Sequence, residues 1–349
     1  MRSNRNFVID ILRGIAIFTM VAANLSASLL QSADKVLIFR LYGTFAAPLF
    51  IMLAGMMVAV TAAKHASFLH FLKRGGLITA FGCLVDVLVW HIYPFLSYDV
   101  LYLIGFCIPI VYLLSKYCTI NARIIIVILL IALTPALQTQ FNYREELISV
   151  GISTLRFSDY LGFLLSGSTL QRFLLDGWFP VMPWLSFAIT GSVLGSLLGQ
   201  GYSFASKRFL ATGLAIFSIG VALWLVLNPQ LVIREGYSEL FYPTTIGYWF
   251  TATGLIFIGF YCVERTQRLA VHAVFLKLGH ASLFMYIFHL AVLVFILMPV
   301  GFLNNQPIST FILTYLVVIT IMVAVGYGLD KIKQKHKNLP FIVRFIIGS

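Results

Sequence analysis

Apolar runs of about 20 residues, the length a helix needs to cross a bilayer, recur along this chain from Phe7 to Leu329. They dominate its composition: 60% of the 349 residues are hydrophobic and only 10% are charged, whereas a soluble domain carries roughly 25% charged residues. The mean hydropathy is +0.96. The fold class this implies is all-α, a polytopic membrane protein. Spans are expected near 7–30, 41–63, 76–95, 99–115, 124–138, 179–198, 209–228, 245–263, 279–300 and 308–329, ten in all, forming a single integral-membrane domain over 1–349.

The net charge of +12 is explained by basic residues flanking the spans on one side, so no nucleic-acid partner is expected. Alternate threading places Arg2, Arg5, Lys64, Lys73, Arg74, Lys116, Arg123, Lys207, Arg208, Arg265, Arg268, Lys277 and the Lys331, Lys333, Lys335, Lys337 tail together. The opposite loops hold Lys35, Arg40, Arg144, Arg156, Arg172 and Arg234, with most of the acids: Asp34, Glu145, Glu146, Asp159, Asp176, Glu235 and Glu239. Both termini are therefore expected in the cytoplasm. The first apolar segment is too long for a signal-peptide core and is expected to stay in the protein. Cys83, Cys107, Cys118 and Cys262 lie in or beside spans, in no disulfide or zinc pattern. The longest connection, 139–178, is expected outside the membrane, either as the border of a substrate cleft or as a passive spacer. It leads into Asp176-Gly177-Trp178-Phe179-Pro180, where Pro180 suits the first turn of the next helix.

Polar side chains inside these spans are costly, and each is a functional-site candidate. Asp10 and Arg13 are three apart on one helix face, either as a structural ion pair or as an anion site. Asn24 lies about 25 Å along the same helix from Phe7, at 1.5 Å per residue, as interhelical glue or as a site residue. Asp86 falls near the middle of the third span and His91 near its outer end, and Asp99 stands where an acid would cap the fourth. Ser282, Tyr286 and His289 follow i, i+4, i+7 spacing and make one polar stripe on an otherwise apolar helix. His289 at mid-membrane is either a satisfied buried histidine or a proton-transfer group. No phosphate-binding loop, dinucleotide fingerprint, GxSxG elbow or metal-ligand spacing occurs.

The pattern Asp10-x-x-Arg13-Gly14-Ile15-Ala16-x-x-x-Met20-Val21-x-x-Asn24 resembles the opening helix of the transmembrane acyltransferases related to heparan-alpha-glucosaminide N-acetyltransferase. Ala47-Pro48-Leu49-Phe50-Ile51-Met52-Leu53-Ala54-Gly55, Arg74, Val100-Leu101-x-x-x-Gly105 and Ser282-x-x-x-Tyr286-x-x-His289 are similar to later motifs of that family, in order. Two departures stand out. The wider acyltransferase-3 group usually has histidine where this chain has Asn24. The heparan-type branch is expected to carry a histidine in its first external loop, yet Ser26, Ser28, Gln31, Ser32, Asp34 and Lys35 are the polar residues found there. The usual general base is missing or relocated.

The resemblance implies a bacterial inner (plasma) membrane enzyme that moves an acyl group, by expectation acetyl, from cytosolic acyl-CoA (acetyl-CoA) to a sugar or glycan acceptor at the outer face. No metal is implied. Arg13, Lys73 and Arg74 would bind the CoA phosphates. His289 is the preferred general base, with His91 and Asp99 as alternatives, and the Asn24 amide would stabilise the oxyanion. Asp10, Asp86, Ser282 and Tyr286 would hold or couple these groups. Membrane lipids and the acceptor are the expected partners, with a homodimer as one option. Two rivals stand beside this reading: a transporter or flippase using Asp86 and His289, and a non-catalytic subunit of an envelope-polysaccharide assembly.

Overall fold

The computed structural model describes residues 6–30, 37–64, 67–144, 151–231, 234, 237, 239–301, 306–336 and 338–348. Arg2, Arg5, Gln31, Ser32, Asp34, Lys35, Glu145, Glu146, Glu235 and Lys337 from the sequence reading lie outside the described residues.

The architecture is all-α, and no strand occurs among the described residues. In chain order the helices are α1 (Phe7–Leu29), α2 (Leu37–Thr44), α3 (Ala46–Ala62), α4 (Phe68–Val85), α5 (Val100–Tyr117), α6 (Ile120–Gln140), α7 (Phe157–Leu164), α8 (Gly167–Gln171), α9 (Val181–Gly199), α10 (Lys207–Leu227), α11 (Ile246–Thr266), α12 (His272–Gly279), α13 (Ser282–Val292), α14 (Ile308–Lys335) and α15 (Phe341–Ile347). Single π-helical turns extend α4 (Asp86–Trp90), α8 (Arg172–Asp176) and α13 (Leu293–Leu297). Short polar residues start several of these helices. Asn6 accepts from the Val8 N–H at 3.0 Å, and Ser206 from the Phe209 N–H at 3.2 Å, satisfying amides that have no intrahelical partner.

Eight helices, counting α2 and α3 as one, are long and apolar enough to cross a membrane. The α12–α13 pair, bent by 88°, makes a ninth if it is one span. The expected count of ten is thus eight or nine among the described residues. The remaining expected span, 76–95, corresponds to α4 and its π turn, which carry Lys73, Arg74 and Asp86. The ninth expected span, read as continuous over 279–300, begins instead at a sharp bend after Gly279.

Close backbone approach holds the centre together. A Cβ on Gly55 of α3 would lie 1.9 Å from the Ala188 carbonyl oxygen of α9, and one on Gly191 of α9 would lie 1.8 Å from the Met52 carbonyl oxygen. Only glycine permits this contact, the small-residue mode of helix association in lipid. Helix α1 meets α12 in the same way, through Gly14 on the Phe275 carbonyl and Gly279 on the Asp10 carbonyl. By contrast, α6 and α10 expose long rows such as Ile124, Ile125, Ile128 and Leu129, or Leu225, Val226 and Leu227. Helices apolar on all sides are at home against lipid.

Three arginines counted as loop charges are core residues instead. Arg123 is 3% exposed, and its guanidinium donates to the Ser192 carbonyl and hydroxyl (both 3.0 Å) and to Ser196 Oγ (2.9 Å). Arg172 donates to the Leu96 carbonyl at 3.2 Å, and Arg234 to the carbonyls of Gly177 (2.9 Å) and Arg144 (3.1 Å). Each buried guanidinium finds carbonyl or hydroxyl acceptors, which burial requires. Through Arg172 and Arg234 the connection 139–178, which holds α7 and α8, is pinned to the bundle.

Candidate active site

A cavity of about 1400 Å³ runs through the bundle. At the end where α1 begins, it is lined by Arg13, Lys64, Arg74, Lys116 and His280. Toward the other end come Asn24, then Asp99, Glu239, Trp178, Tyr237 and Tyr242. One mouth is cationic, and the opposite one combines carboxylates with aromatic rings.

Helix α1 supplies both Arg13 and Asn24 to this wall. Arg13 Nη1 donates to Asp10 Oδ1 at 3.2 Å, and Asp10, 6% exposed, also stands 3.9 Å from His280 Nε2. Asp10 therefore orients Arg13 and ties α1 to the α12–α13 bend. Arg74 faces the same cavity from α4, with its guanidinium 5.6 Å from the centre of the Phe345 ring of α15. Lys73 is exposed on α4 and is not among the cavity-lining residues.

Farther along α1, Asn24 Nδ2 lies 2.9 Å from His289 Nε2. His289 is 3% exposed, and its Nδ1 lies 3.1 Å from the Met285 carbonyl one turn back on α13. A carbonyl only accepts, so Nδ1 carries the proton; Nε2 then presents its lone pair to the Asn24 amide. The histidine sits behind Asn24, which lines the cavity, as do Ser282, Tyr286 and Leu290 of the same helix. The polar stripe read from the sequence is real, but its members divide between the cavity wall and the layer behind it.

Tyr286 extends the network. Its ring centre is 5.6 Å from that of His289, and its hydroxyl donates to Asp99 Oδ2. Asp99 does stand at the N-cap of α5, yet its carboxylate makes no capping bond. Behind it lies Asp86, 0% exposed, which accepts from Ser97 Oγ at 2.9 Å and from the Tyr102 hydroxyl at 2.5 Å. Ser97 Oγ in turn accepts from the Asp99 N–H at 3.3 Å. Asp86 does not line the cavity; it fixes the turn that presents Asp99. His91, exposed and left-handed at φ 54°, caps the π turn and lies off the cavity wall. The structure thus brings Asn24, His289, Tyr286 and Asp99 together, leaves His91 and Lys73 apart, and makes Asp86 a support.

Glu239 was not singled out from the sequence beyond its place among the loop acids. It is 6% exposed and borders the cavity, where a Cβ on Gly43 would come within 3.4 Å of its Oε1 and 2.6 Å of the Ala23 Cβ. Trp178 packs edge-on against Tyr237 and Tyr242, with centres 5.2 and 5.5 Å apart. In the sequence, this wall is signalled by Trp178 at the end of the 139–178 connection and by the aromatic run before α11. Among the described residues no group of three His, Cys, Asp or Glu side chains could hold a metal ion.

The sequence model of the family described as heparan-alpha-glucosaminide N-acetyltransferase, catalytic, matches residues 5–220, more than half of the chain. No curated protein matches it. The matched stretch includes Arg13, Asn24, Arg74, Asp86 and Asp99, whereas Glu239, Tyr286 and His289 follow it.

Proposed function

Because this chain belongs to the heparan-alpha-glucosaminide N-acetyltransferase family, and is with it a membrane acetyltransferase, we propose that it transfers acetyl from acetyl-CoA through the cavity to a glycan acceptor on the far side of the membrane. The observation that carries this reading is the hydrogen bond between the buried His289 and Asn24, which lines a cavity that is cationic at one mouth and carboxylate-lined at the other.

In this reading the CoA phosphates dock at Arg13 and Arg74 on the cytoplasmic side, where charge-assisted hydrogen bonds to phosphate are strong. From Arg13 to Asn24 the shared helix advances about 16 Å at 1.5 Å per residue, a distance that suits an extended pantetheine arm. The thioester carbonyl then reaches Asn24. Its oxygen takes over the Asn24 N–H, and the release of that amide frees the Nε2 lone pair of His289. The acceptor, held against Trp178 and Tyr242 with Asp99 and Glu239 at its polar groups, attacks the carbonyl carbon through a hydroxyl or amine. His289 Nε2 takes its proton while Asn24 stabilises the oxyanion. As the new C–O or C–N bond replaces the C–S bond, the proton passes from His289 to the leaving thiolate. Residues 1–349 act as one domain in this scheme, and the connection 139–178 borders the acceptor through Trp178.

Purified protein in detergent should bind acetyl-CoA and hydrolyse it slowly when no acceptor is present. A protein that neither binds nor cleaves the thioester would be a transporter or a non-catalytic subunit instead.

A further inference from the structure

We propose that Arg234 is a positioning residue for the acceptor: from behind the cavity wall it fixes the aromatic face of Trp178, Tyr237 and Tyr242, and so sets how tightly the acceptor is held without taking part in the donor chemistry. The inference rests on the assignment of this mouth to the acceptor above.

Trp178, Tyr237 and Tyr242 border the cavity, whereas Arg234, 3% exposed, is not among the lining residues. It meets each of them by a different contact. Its Nη1 donates to the carbonyl of Gly177, the residue before Trp178, at 2.9 Å. Its backbone exchanges hydrogen bonds with Tyr237 in both directions, at 2.9 and 2.7 Å. Its guanidinium carbon lies 5.0 Å from the centre of the Tyr242 ring, within cation–π range. Because Trp178 packs edge-on against both tyrosines, displacing one of these rings forces the others to repack.

The same side chain clasps both ends of the connection 139–178. Near the start, Nη2 donates to the Tyr143 hydroxyl and to the Arg144 carbonyl at 3.1 Å. At the end, Nη1 serves the carbonyls of Asp176 (3.4 Å) and Gly177 (2.9 Å). A planar guanidinium directs several donors at separated acceptors at once, whereas lysine offers a single point charge on a flexible stem. Arg172 gives the contrast. It is buried in the same connection, but it is held by the Leu96 carbonyl at 3.2 Å and lies 5.5 Å from the centre of the Phe163 ring. Both arginines stabilise the connection, and Arg234 is the one that joins it to the aromatic wall.

The test is steady-state transfer of labelled acetyl from acetyl-CoA to D-glucosamine and to glucosamine oligomers by purified protein in detergent, with acceptor-free hydrolysis of acetyl-CoA and melting temperature measured alongside. Arg234→Lys should raise the acceptor KM by about tenfold to a hundredfold, the scale set by misplacing a binding group by about 1 Å, with kcat and acetyl-CoA hydrolysis unchanged. Arg172→Lys should lower the melting temperature without raising that KM. Should Arg234→Lys fail to fold, Tyr143→Phe decides: it keeps the ring, removes one acceptor of Arg234, and should move the acceptor KM in the same direction by a smaller factor. An unchanged acceptor KM in the folded variant, a parallel fall in hydrolysis and transfer, or the same rise in Arg172→Lys would overturn the role of Arg234, while wild-type transfer leaves the acetyltransferase reading standing. A wild type that cleaves acetyl-CoA yet acetylates neither probe would overturn the glycan end of that reading and this inference with it. One that neither binds nor cleaves acetyl-CoA would overturn both.

Discussion

Asn24 on α1 and His289 on α13 are 2.9 Å apart, Nδ2 to Nε2, although 265 positions separate them in the chain. The amide therefore occupies the one ring nitrogen able to take a proton, since Nδ1 is committed to the Met285 carbonyl. Asn24→Asp replaces the donor with a carboxylate that favours imidazolium and can no longer stabilise an oxyanion. Acetyl transfer should fall on the order of 10²–10³-fold, the cost of one oxyanion donor, with CoA affinity unchanged by titration. A variant with near wild-type turnover would remove Asn24 from the chemistry.

Asp86 supports the site from behind. Asp86→Ala strands the Tyr102 and Ser97 hydroxyls in the core, at about 1–3 kcal/mol for each buried group left unsatisfied. Thermal melting in detergent should drop, and the Michaelis constant for the acceptor should rise as Asp99 loses its fixed turn. Asp86→Asn keeps an acceptor oxygen and should recover much of both. If Asp86 instead relayed protons, Asp86→Asn would be as inactive as the alanine variant at full stability.

The spans were legible because lipid demands long apolar runs, and Asn24, Tyr286, His289 and Asp99 because polar residues within such runs are few. The pairing of Asn24 with His289 was not legible, since spacing along α13 shows a face without showing which helix meets it. The bend at Gly279 is not legible in the sequence because His280, Ala281 and Ser282 do not interrupt helical periodicity. Counting loop charges treats every arginine as solvated, so the burial of Arg123, Arg172 and Arg234 was hidden. Lys73 and Arg74 are neighbours in sequence, but adjacent helical positions point about 100° apart, and only Arg74 reaches the cavity.

The α3–α9 crossing should tolerate no side chain at its centre. A Cβ at Gly55 would meet the Ala188 carbonyl at 1.9 Å, so Gly55→Val must part the two helices. Overpacking in a tight core costs about 1–3 kcal/mol or more. The variant should melt well below the wild type, whereas Gly76→Val, in open space on α4, should change the melting temperature little.

Orientation is open to direct test. A reporter fused to the C-terminus and one inserted near Gly162 should report opposite compartments, the first cytoplasmic, as the basic loops require. Both on one side would overturn this topology and with it the side assignment of both mouths; opposite compartments with the C-terminus outside would reverse the donor and acceptor mouths.

The most direct measurement is transfer of labelled acetyl from acetyl-CoA to a glycan acceptor by wild type and His289→Ala in proteoliposomes, with melting temperature and CoA affinity recorded for each. Removal of the base should slow transfer on the order of 10²–10⁴-fold while the variant stays folded and still binds CoA. Transfer near the wild-type rate by a folded His289→Ala protein would contradict the account, and place the base elsewhere on the cavity wall or on the acceptor itself.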